Sequence, residues 1–200
     1  MMDIKYELEF FGYWHCGSGL SSGSDLDLLV IKDEAGIPFV PGKTIKGLLR
    51  EAVEELYTLT KEVEDVTIVK AFGDSPKRYS TINADGVDAT GCCFFKNAEL
   101  KQELKEKIKE AQLNKFFYQS IASTKIDING IAEENSLRRM EVTIPCVLHG
   151  EILNVPDDIK DLIIKGLKFI KRLGQSRNRG LGRCAFYVQN ENKIEKGVLQ

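Results

Sequence analysis

The order of strand-like and helix-like patterns constrains the fold of this chain more than any single motif. Residues 4–10 alternate between apolar and charged side chains, as a half-buried strand does. Apolar residues recur three and four apart over 45–56 and again over 159–173, which predicts two amphipathic helices. Pro145 indicates an edge strand or a bulge. Other apolar segments predict strands at 92–95, 140–152 and 184–188. The predicted skeleton is βαββαβ, an α+β fold with a ferredoxin-like core.

Two longer segments interrupt this skeleton and are predicted to be insertions. Residues 59–88 are expected to be irregular, with a turn at Gly73-Asp74-Ser75-Pro76. Within 98–139, a charged pattern at 98–110 predicts an exposed helix, and Asn129-Gly130 predicts a hairpin with positive φ at both turn residues. We expect one domain over residues 1–200, with its core at about 3–58, 89–97 and 140–190.

Composition argues against several classes of protein. The chain is 42% hydrophobic and 29% charged, as expected of a globular protein with a sizeable core. No apolar run approaches the ~20 residues of a membrane span, and the first residues lack a signal-peptide core, so a cytoplasmic location is expected. Five cysteines without a C-x-x-C pair argue against a zinc ribbon and against a disulfide framework.

Gly42-Lys43-Thr44 looks like the end of a nucleotide-binding phosphate loop, but its spacing does not fit. Such a loop has four residues between its first glycine and Gly-Lys-Ser/Thr. Here five residues separate Gly36 from Gly42, and two of them are prolines, which have no N–H for a phosphate. The lysines therefore need another explanation.

Cations cluster in two stretches, although the net charge of the chain is −2. Lys43, Lys46 and Arg50 fall three and four residues apart, on one face of the first predicted helix. Residues 168–183 contain six lysines and arginines and no acid. A helix N-terminus attracts phosphate, and glycines and arginines suit a sugar-phosphate chain. Both stretches are candidate nucleic-acid contacts, with a solvated basic helix face as the alternative for the first.

Four motifs, spread over nearly the whole length of the chain, carry a family resemblance. They are HCGSG at 15–19, VIKDEAGIPFVPGKTIKGLLR at 30–50, TKIDINGIAEENSLRRMEV at 124–142 and GQSRNRGLGR at 174–183. In that order they resemble a turn after the first strand, a strand followed by a basic helix, a thumb-like hairpin and a glycine-rich loop. Together they resemble the RAMP superfamily of CRISPR proteins, and specifically the backbone subunit of type III effector complexes, whose core is RNA-recognition-motif-like.

The resemblance implies binding to CRISPR guide RNA, to complementary target RNA, to further copies of the chain and to other subunits of a type III complex. The insertions would form a lid and a thumb, and the thumb would push between guide and target strands. The residues that the resemblance places at the RNA are Lys43, Thr44, Lys46, Arg50, Arg138, Arg139, Gly174, Gln175, Arg177, Arg179, Gly180, Gly182 and Arg183.

The resemblance also implies cleavage of target RNA by an aspartate in the loop after the first strand. Counting back from Val30, Asp27 falls on the matching position, and Asp25 is the fallback. RNA supplies its own nucleophile, the 2′-hydroxyl, so positioning provides much of the rate enhancement. A carboxylate is a poor general base at neutral pH, so we expect help from a divalent cation, Mg²⁺, held weakly by Asp27. This loop has no dense carboxylate cluster that would bind the metal tightly.

Two alternatives remain for the function. A non-catalytic RAMP subunit would cap or scaffold the same assembly, and the presence of Asp27 favours the cleaving subunit over it. An endonuclease that processes guide-RNA precursors would need a histidine, for which His15 is the candidate acid or base. The basic pattern at 43–50 argues against that activity, and a structural role is the alternative for His15.

Overall fold

The computed structural model describes residues 1–22, 26–60, 65–73 and 90–189. Two short 3₁₀ turns, at Asn114–Phe117 and Arg177–Arg179, lie among the longer elements. In chain order those elements are β1 (Met2–Phe10), α1 (Gly42–Thr60), α2 (Asp65–Phe72), β2 (Phe94–Phe95), α3 (Gln102–Glu110), β3 (Tyr118–Ser123), β4 (Arg138–Thr143), β5 (Val147–Val155), α4 (Lys160–Phe169) and β6 (Cys184–Val188).

A four-stranded antiparallel sheet forms the centre of the fold, in the order β2-β5-β1-β6. β1 pairs with β5 along most of its length and with β6 from Tyr6 to Phe10. With α1 between β1 and β2, and α4 between β5 and β6, this is the arrangement of a βαββαβ ferredoxin-like fold. The predicted fold class is confirmed.

The helices α1 and α4 pack on the sheet through the apolar stripes seen in the sequence. Ile45 and Leu49 of α1 and Ile163 of α4 are completely buried. Gly166 lets the two helices approach closely, because a Cβ at this position would lie 2.9 Å from side-chain atoms of Leu49 and Val53. Among the helices that the structure describes, none is long and apolar enough to cross a membrane.

Pro145 divides the segment that was predicted to be one strand. The alternation over 140–152 is continuous, but β4 ends at Thr143, β5 begins at Val147, and the two strands belong to different sheets. Proline has no N–H to continue a ladder. The N–H of Ile144 donates instead to the oxygen of Phe117 at 2.9 Å. The chain thus passes at Pro145 from the small sheet to the central one.

The segment predicted to be irregular contains ordered helix, so this prediction was wrong over part of its length. The helix α1 continues to Thr60, and α2 occupies Asp65–Phe72. Ile68, Ala71 and Phe72 are buried in the core, and this burial favours the second helix. Most of the expected turn at 73–76 and the second half of the 59–88 insertion, which was expected to form the lid, lie within 74–89, outside the described residues.

The hairpin predicted around Asn129-Gly130 is reduced to a single bridge between Ile126 and Ala132, and it lies at the tip of a longer hairpin. That longer hairpin consists of β3 and β4, paired from Tyr118 opposite Thr143 to Ser123 opposite Arg138. We call residues 118–143 the thumb. Its Asn-Gly turn differs from the expected type. Only Gly130 of the pair has positive φ, at 81°. Asp127 Oδ1 accepts the N–H groups of Asn129 and Ile131 at 2.9 and 2.8 Å. These hydrogen bonds, above all the one from Ile131, lower the pKa of Asp127.

Candidate nucleic-acid interface

The glycine-rich loop, residues 174–183, is fastened at both ends to the segment that follows β1. Gly182 donates its N–H to the oxygen of Tyr13, and Gln175 donates to the oxygen of His15, each at 2.8 Å. A Cβ on Gly174 would lie 2.4 Å from that His15 oxygen. Gly174 and Gly182 also have positive φ, at 97° and 69°. These two glycines are therefore needed for the path of the loop itself.

The arginines predicted to bind RNA are exposed on this loop. Arg177 and Arg179 lie on a 3₁₀ turn that is bounded by Ser176 and Gly180, both in the left-handed region. The guanidinium of Arg183 lies 5.9 Å from the ring centroid of Phe11. The described structure therefore places Arg177, Arg179 and Arg183 on one short loop, whose backbone is hydrogen-bonded to the segment that follows β1.

The start of α1 presents lysines, as the sequence indicated, but part of its backbone is already occupied. Gly42 donates its N–H to Asn97 Oδ1 at 3.0 Å. A Cβ on Gly42 would lie 2.0 Å from the Phe95 oxygen, so the helix begins in close contact with β2. Lys43 is exposed, and Thr44 and Lys46 are half-buried. Phosphate contacts here would therefore depend on the lysine side chains more than on the first N–H of the helix.

Arg50, another predicted RNA contact on α1, is largely covered and ion-paired. Its side chain is 16% exposed, and its Nε donates to Glu54 Oε1 at 2.9 Å, one turn along the helix. Because Arg50 already donates to a carboxylate, we expect it to bind a phosphate less readily than the exposed Lys43 does. Its contact with RNA stays a prediction.

Asp27 lies against the base of the thumb, beside two exposed arginines. Its N–H donates to the oxygen of Arg139 at 2.9 Å, and its Oδ2 accepts the N–H of Arg139 at 2.7 Å. Leu28 bridges to Met140 on the same strand. The Asp27 side chain remains exposed. The structure thus joins Asp27 to the backbone of Arg139, which follows Arg138 on β4, while the fallback residue Asp25 lies outside the described residues.

His15 is a structural junction rather than an accessible group. Its side chain is completely buried, and Nδ1 lies 2.6 Å from the oxygen of Glu141. Since a carbonyl oxygen can only accept, Nδ1 carries the proton. Nε2 is buried too, near Gly17. In this conformation an RNA in solvent does not reach the ring.

A partly buried ion pair near Asp27 was not predicted from the sequence. Glu141 Oε1 accepts from the ammonium of Lys32 at 2.7 Å, and Oε2 accepts the N–H of Val30 at 3.0 Å. The same ammonium lies 3.8 Å from the ring centroid of Tyr118. Burial, then the charges of Glu141 and Asp33, raise the pKa of Tyr118, so its hydroxyl stays a donor. The role of Glu141 could not be predicted from the sequence, because no local pattern indicates that both faces of its strand are covered.

The sheet face that carries Glu7 and Glu9 has mixed charges, because Lys5 lies on the same face, with its ammonium 3.8 Å from a carboxylate oxygen of Glu151. Glu151 follows on β5, and its carboxylate accepts from Lys96 at 2.7 Å. His149 Nδ1 lies 3.6 Å from Glu7 Oε1. Burial lowers the pKa of His149, and this outweighs the opposing effect of Glu7. Backbone phosphates are better matched by the cations of the loops, the thumb base and the α1 start than by this face.

Asp27 fits a weak metal ligand and not a complete metal site. Among the described residues, no group of three or more His, Cys, Asp or Glu side chains is arranged to hold a metal ion. One oxygen of Asp27 already accepts from Arg139. Mg²⁺ is often held by one or two carboxylates together with phosphate oxygens and water. Asp27 could therefore hold Mg²⁺ only with RNA in place.

A family model and solved structures of the same fold match this chain. The family model of the RAMP superfamily matches residues 7–185. A chain from the cryo-EM structure of type III-B Cmr-beta bound to cognate target RNA is 12% identical, with a TM-score of 0.70, over 94% of this chain and 97% of that chain. A chain from the apo state is also 12% identical, with a TM-score of 0.69 over 95% and 98%. Among the curated proteins, none matches the sequence.

Proposed function

The chain belongs to the RAMP superfamily, and on that premise we propose that it is a backbone subunit of a cytoplasmic type III CRISPR interference complex. It binds guide RNA beside further copies of itself and other subunits, and it cuts complementary target RNA at regular intervals. Similar chains in type III-B Cmr-beta structures, one of them bound to cognate target RNA, support this assignment. The observation that carries the cutting activity is the exposed Asp27 carboxylate, fastened to the thumb by the N–H of Arg139.

Guide RNA binds through phosphate contacts at the start of α1 and along the glycine-rich loop. The start of α1 contributes Lys43 and Lys46, and the glycine-rich loop contributes Arg177, Arg179 and Arg183. Such contacts read the backbone rather than the bases, as suits a protein whose target sequence is read by base pairing. The thumb enters the paired strands and splays one target nucleotide beside Asp27.

The reaction uses the 2′-hydroxyl of the splayed nucleotide as nucleophile. Its oxygen forms a bond to the adjacent phosphorus as the bond from phosphorus to the 5′ oxygen breaks. The 2′-hydroxyl proton leaves to solvent, and the 5′ oxygen takes up a proton from solvent. Arg138 and Arg139 orient the phosphate, and Asp27 orients the attacking hydroxyl. Mg²⁺, held by Asp27 together with RNA oxygens, would stabilise charge that develops on the phosphate. The products are a 2′,3′-cyclic phosphate and a 5′-hydroxyl.

Replacing Asp27 with asparagine is expected to abolish cutting and leave binding intact. Asparagine keeps an oxygen for the N–H of Arg139 and removes only the charge, so the rate should fall about 100-fold or more. The measurement is cleavage of complementary RNA by the complex reconstituted with guide RNA and partner subunits, in Mg²⁺ and in EDTA. Asp25→Asn is the matched control. EDTA should also stop cutting by the unmodified complex.

The outcomes of that experiment separate the alternatives. Regular cuts lost only in Asp27→Asn establish a cleaving backbone subunit. A complex that binds guide and target and never cuts would make the chain a non-catalytic scaffold or cap. Loss in Asp25→Asn alone would move the activity to the fallback residue. Processing of guide-RNA precursors by His15 is disfavoured, because its ring is buried.

Removing the two lysines at the start of α1 should weaken guide-RNA binding. For Lys43→Gln with Lys46→Gln, the slope of log affinity against log salt should become shallower by roughly 1.4, since a single-strand phosphate contact contributes about 0.7. Filter binding or fluorescence anisotropy at several salt concentrations measures this slope. The control is Lys107→Gln with Lys109→Gln, two exposed lysines on α3. Equal salt slopes in both double variants would show that the start of α1 does not contact the guide RNA.

A further inference from the structure

Lys32 connects the segment that carries Asp27 to both strands of the thumb. Its ammonium donates to Glu141 Oε1 on β4 at 2.7 Å and lies 3.8 Å from the ring centroid of Tyr118 on β3. The hydroxyl of Tyr118 donates back to the oxygen of Gly36 at 2.8 Å. We call Lys32, Tyr118 and Glu141 the clamp. It joins three pieces of chain that are far apart in sequence.

The clamp is shielded enough from water that the charges of Lys32 and Glu141 stabilise each other. The Glu141 side chain is 10% exposed and that of Lys32 is 32% exposed. The second oxygen of Glu141 accepts the N–H of Val30, and the N–H of Glu141 donates to the oxygen of Leu28 at 2.9 Å. A buried carboxylate that loses its cation is strongly disfavoured and moves toward water. Removal of the Lys32 charge should therefore shift the 28–32 segment relative to β4.

Asp27 immediately precedes the 28–32 segment that is hydrogen-bonded to β4, so a shift of that segment would also displace the Asp27 carboxylate. Both hydrogen bonds that orient Asp27 go to the backbone of Arg139, two residues before Glu141 on β4. The carboxylate position therefore depends on the register between 27–32 and β4. A displacement of about 1 Å in a catalytic arrangement can cost roughly 100-fold in rate.

We propose that Lys32 is a positioning residue for target-RNA cleavage, holding the thumb and Asp27 in one geometry through Glu141 and Tyr118. This inference rests on the proposed function. Lys32 itself does not touch the RNA in this arrangement, because its ammonium faces Glu141 and the ring of Tyr118. Its contribution is to keep the splayed linkage within reach of the Asp27 carboxylate.

Lys32→Met tests the clamp, with Lys32→Arg as the conservative variant and Lys96→Met as the control. Lys96 forms an ion pair of the same length, with Glu151 at 2.7 Å, but it lies outside the thumb and its side chain is 49% exposed. In the reconstituted complex, we expect Lys32→Met to bind guide and target within about 3-fold of the unmodified protein. Its single-turnover cutting rate should fall about 10-fold or more, with cuts spreading to neighbouring linkages. Lys32→Arg should restore most of the rate, and Lys96→Met should leave rate and positions unchanged.

The results distinguish this inference from the proposed function. Unchanged rate and cut positions in Lys32→Met, beside normal cutting by the unmodified complex, would overturn the positioning role alone. The same holds if binding and cutting fall together and Lys32→Arg rescues neither, since that indicates only a loss of fold. If the unmodified complex binds guide and target without cutting, the proposed function fails, and the positioning role fails with it.

Discussion

Replacing Gly182 with alanine should lower the free energy of unfolding by about 4 kcal/mol or more, because two mechanisms act at one position. A Cβ there would lie 1.9 Å from the oxygen of Leu173. The residue also has a φ of 69°, which an L side chain rarely adopts. Neither backbone segment can move away easily, since Leu173 donates its N–H to the Gly182 oxygen at 2.9 Å and Gly182 donates to the Tyr13 oxygen at 2.8 Å.

Gly180→Ala is the matched control for this prediction. Gly180 lies in the same loop with a φ of 92°, but a Cβ there would meet nothing within 4 Å. Only backbone strain of about 1–2 kcal/mol is expected. Denaturant unfolding followed by circular dichroism measures both variants. If the two alanines cost the same, contact with the Leu173 oxygen does not explain the need for glycine at 182.

Replacing Trp14 with alanine is expected to cost about 4 kcal/mol, within the range for large aromatic side chains removed from a core. The Trp14 ring is completely buried and stacks on Phe10, with centroids 4.4 Å apart and planes 8° apart. Its Nε1–H donates to the oxygen of Ile144 at 3.1 Å. Alanine would leave a cavity and an unpaired carbonyl where β1 continues toward the thumb.

Two variants divide this loss into its parts. Trp14→Phe keeps an aromatic ring against Phe10 but loses the N–H, so it should cost about half as much. Phe11→Ala removes a neighbouring aromatic ring that is 48% exposed, and it should cost no more than about 1 kcal/mol. Thermal or denaturant unfolding of the three variants gives the comparison. Similar losses for Phe11 and Trp14 would contradict the importance of the stack.

The fold could be predicted because its core elements have strong periodicity. Residues 4–10 show one buried face, and both core helices show a continuous apolar stripe, so element type and order were clear. The break at Pro145 was recognised as an irregularity, but nothing local says that the chain changes sheets there. The helix α2 was missed because it is eight residues long and depends on tertiary burial of Ile68 and Phe72.

The candidate site was predicted as a set of residues and not as an arrangement. Basic clusters and glycines are visible in sequence, since charge and turn preference are local properties. The pairing of Asp27 with Arg139, and of Lys32 with Glu141, joins residues more than a hundred positions apart. His15 has the same limit, because its burial depends on the glycine-rich loop and β4 together. Such contacts become visible only in three dimensions.

The central position of β1 has a consequence for how the chain is made on the ribosome. Both neighbours of β1, β5 and β6, follow it by more than a hundred residues. At about 5–20 residues per second, the first strand emerges many seconds before either partner exists. During that time the apolar face of β1, which contains Tyr6 and Leu8, stays uncovered, and both edges of the strand stay unpaired. Completion of the core is therefore a late event in synthesis, and a nascent chain that stalls before β6 would expose the side of β1 on which that strand belongs.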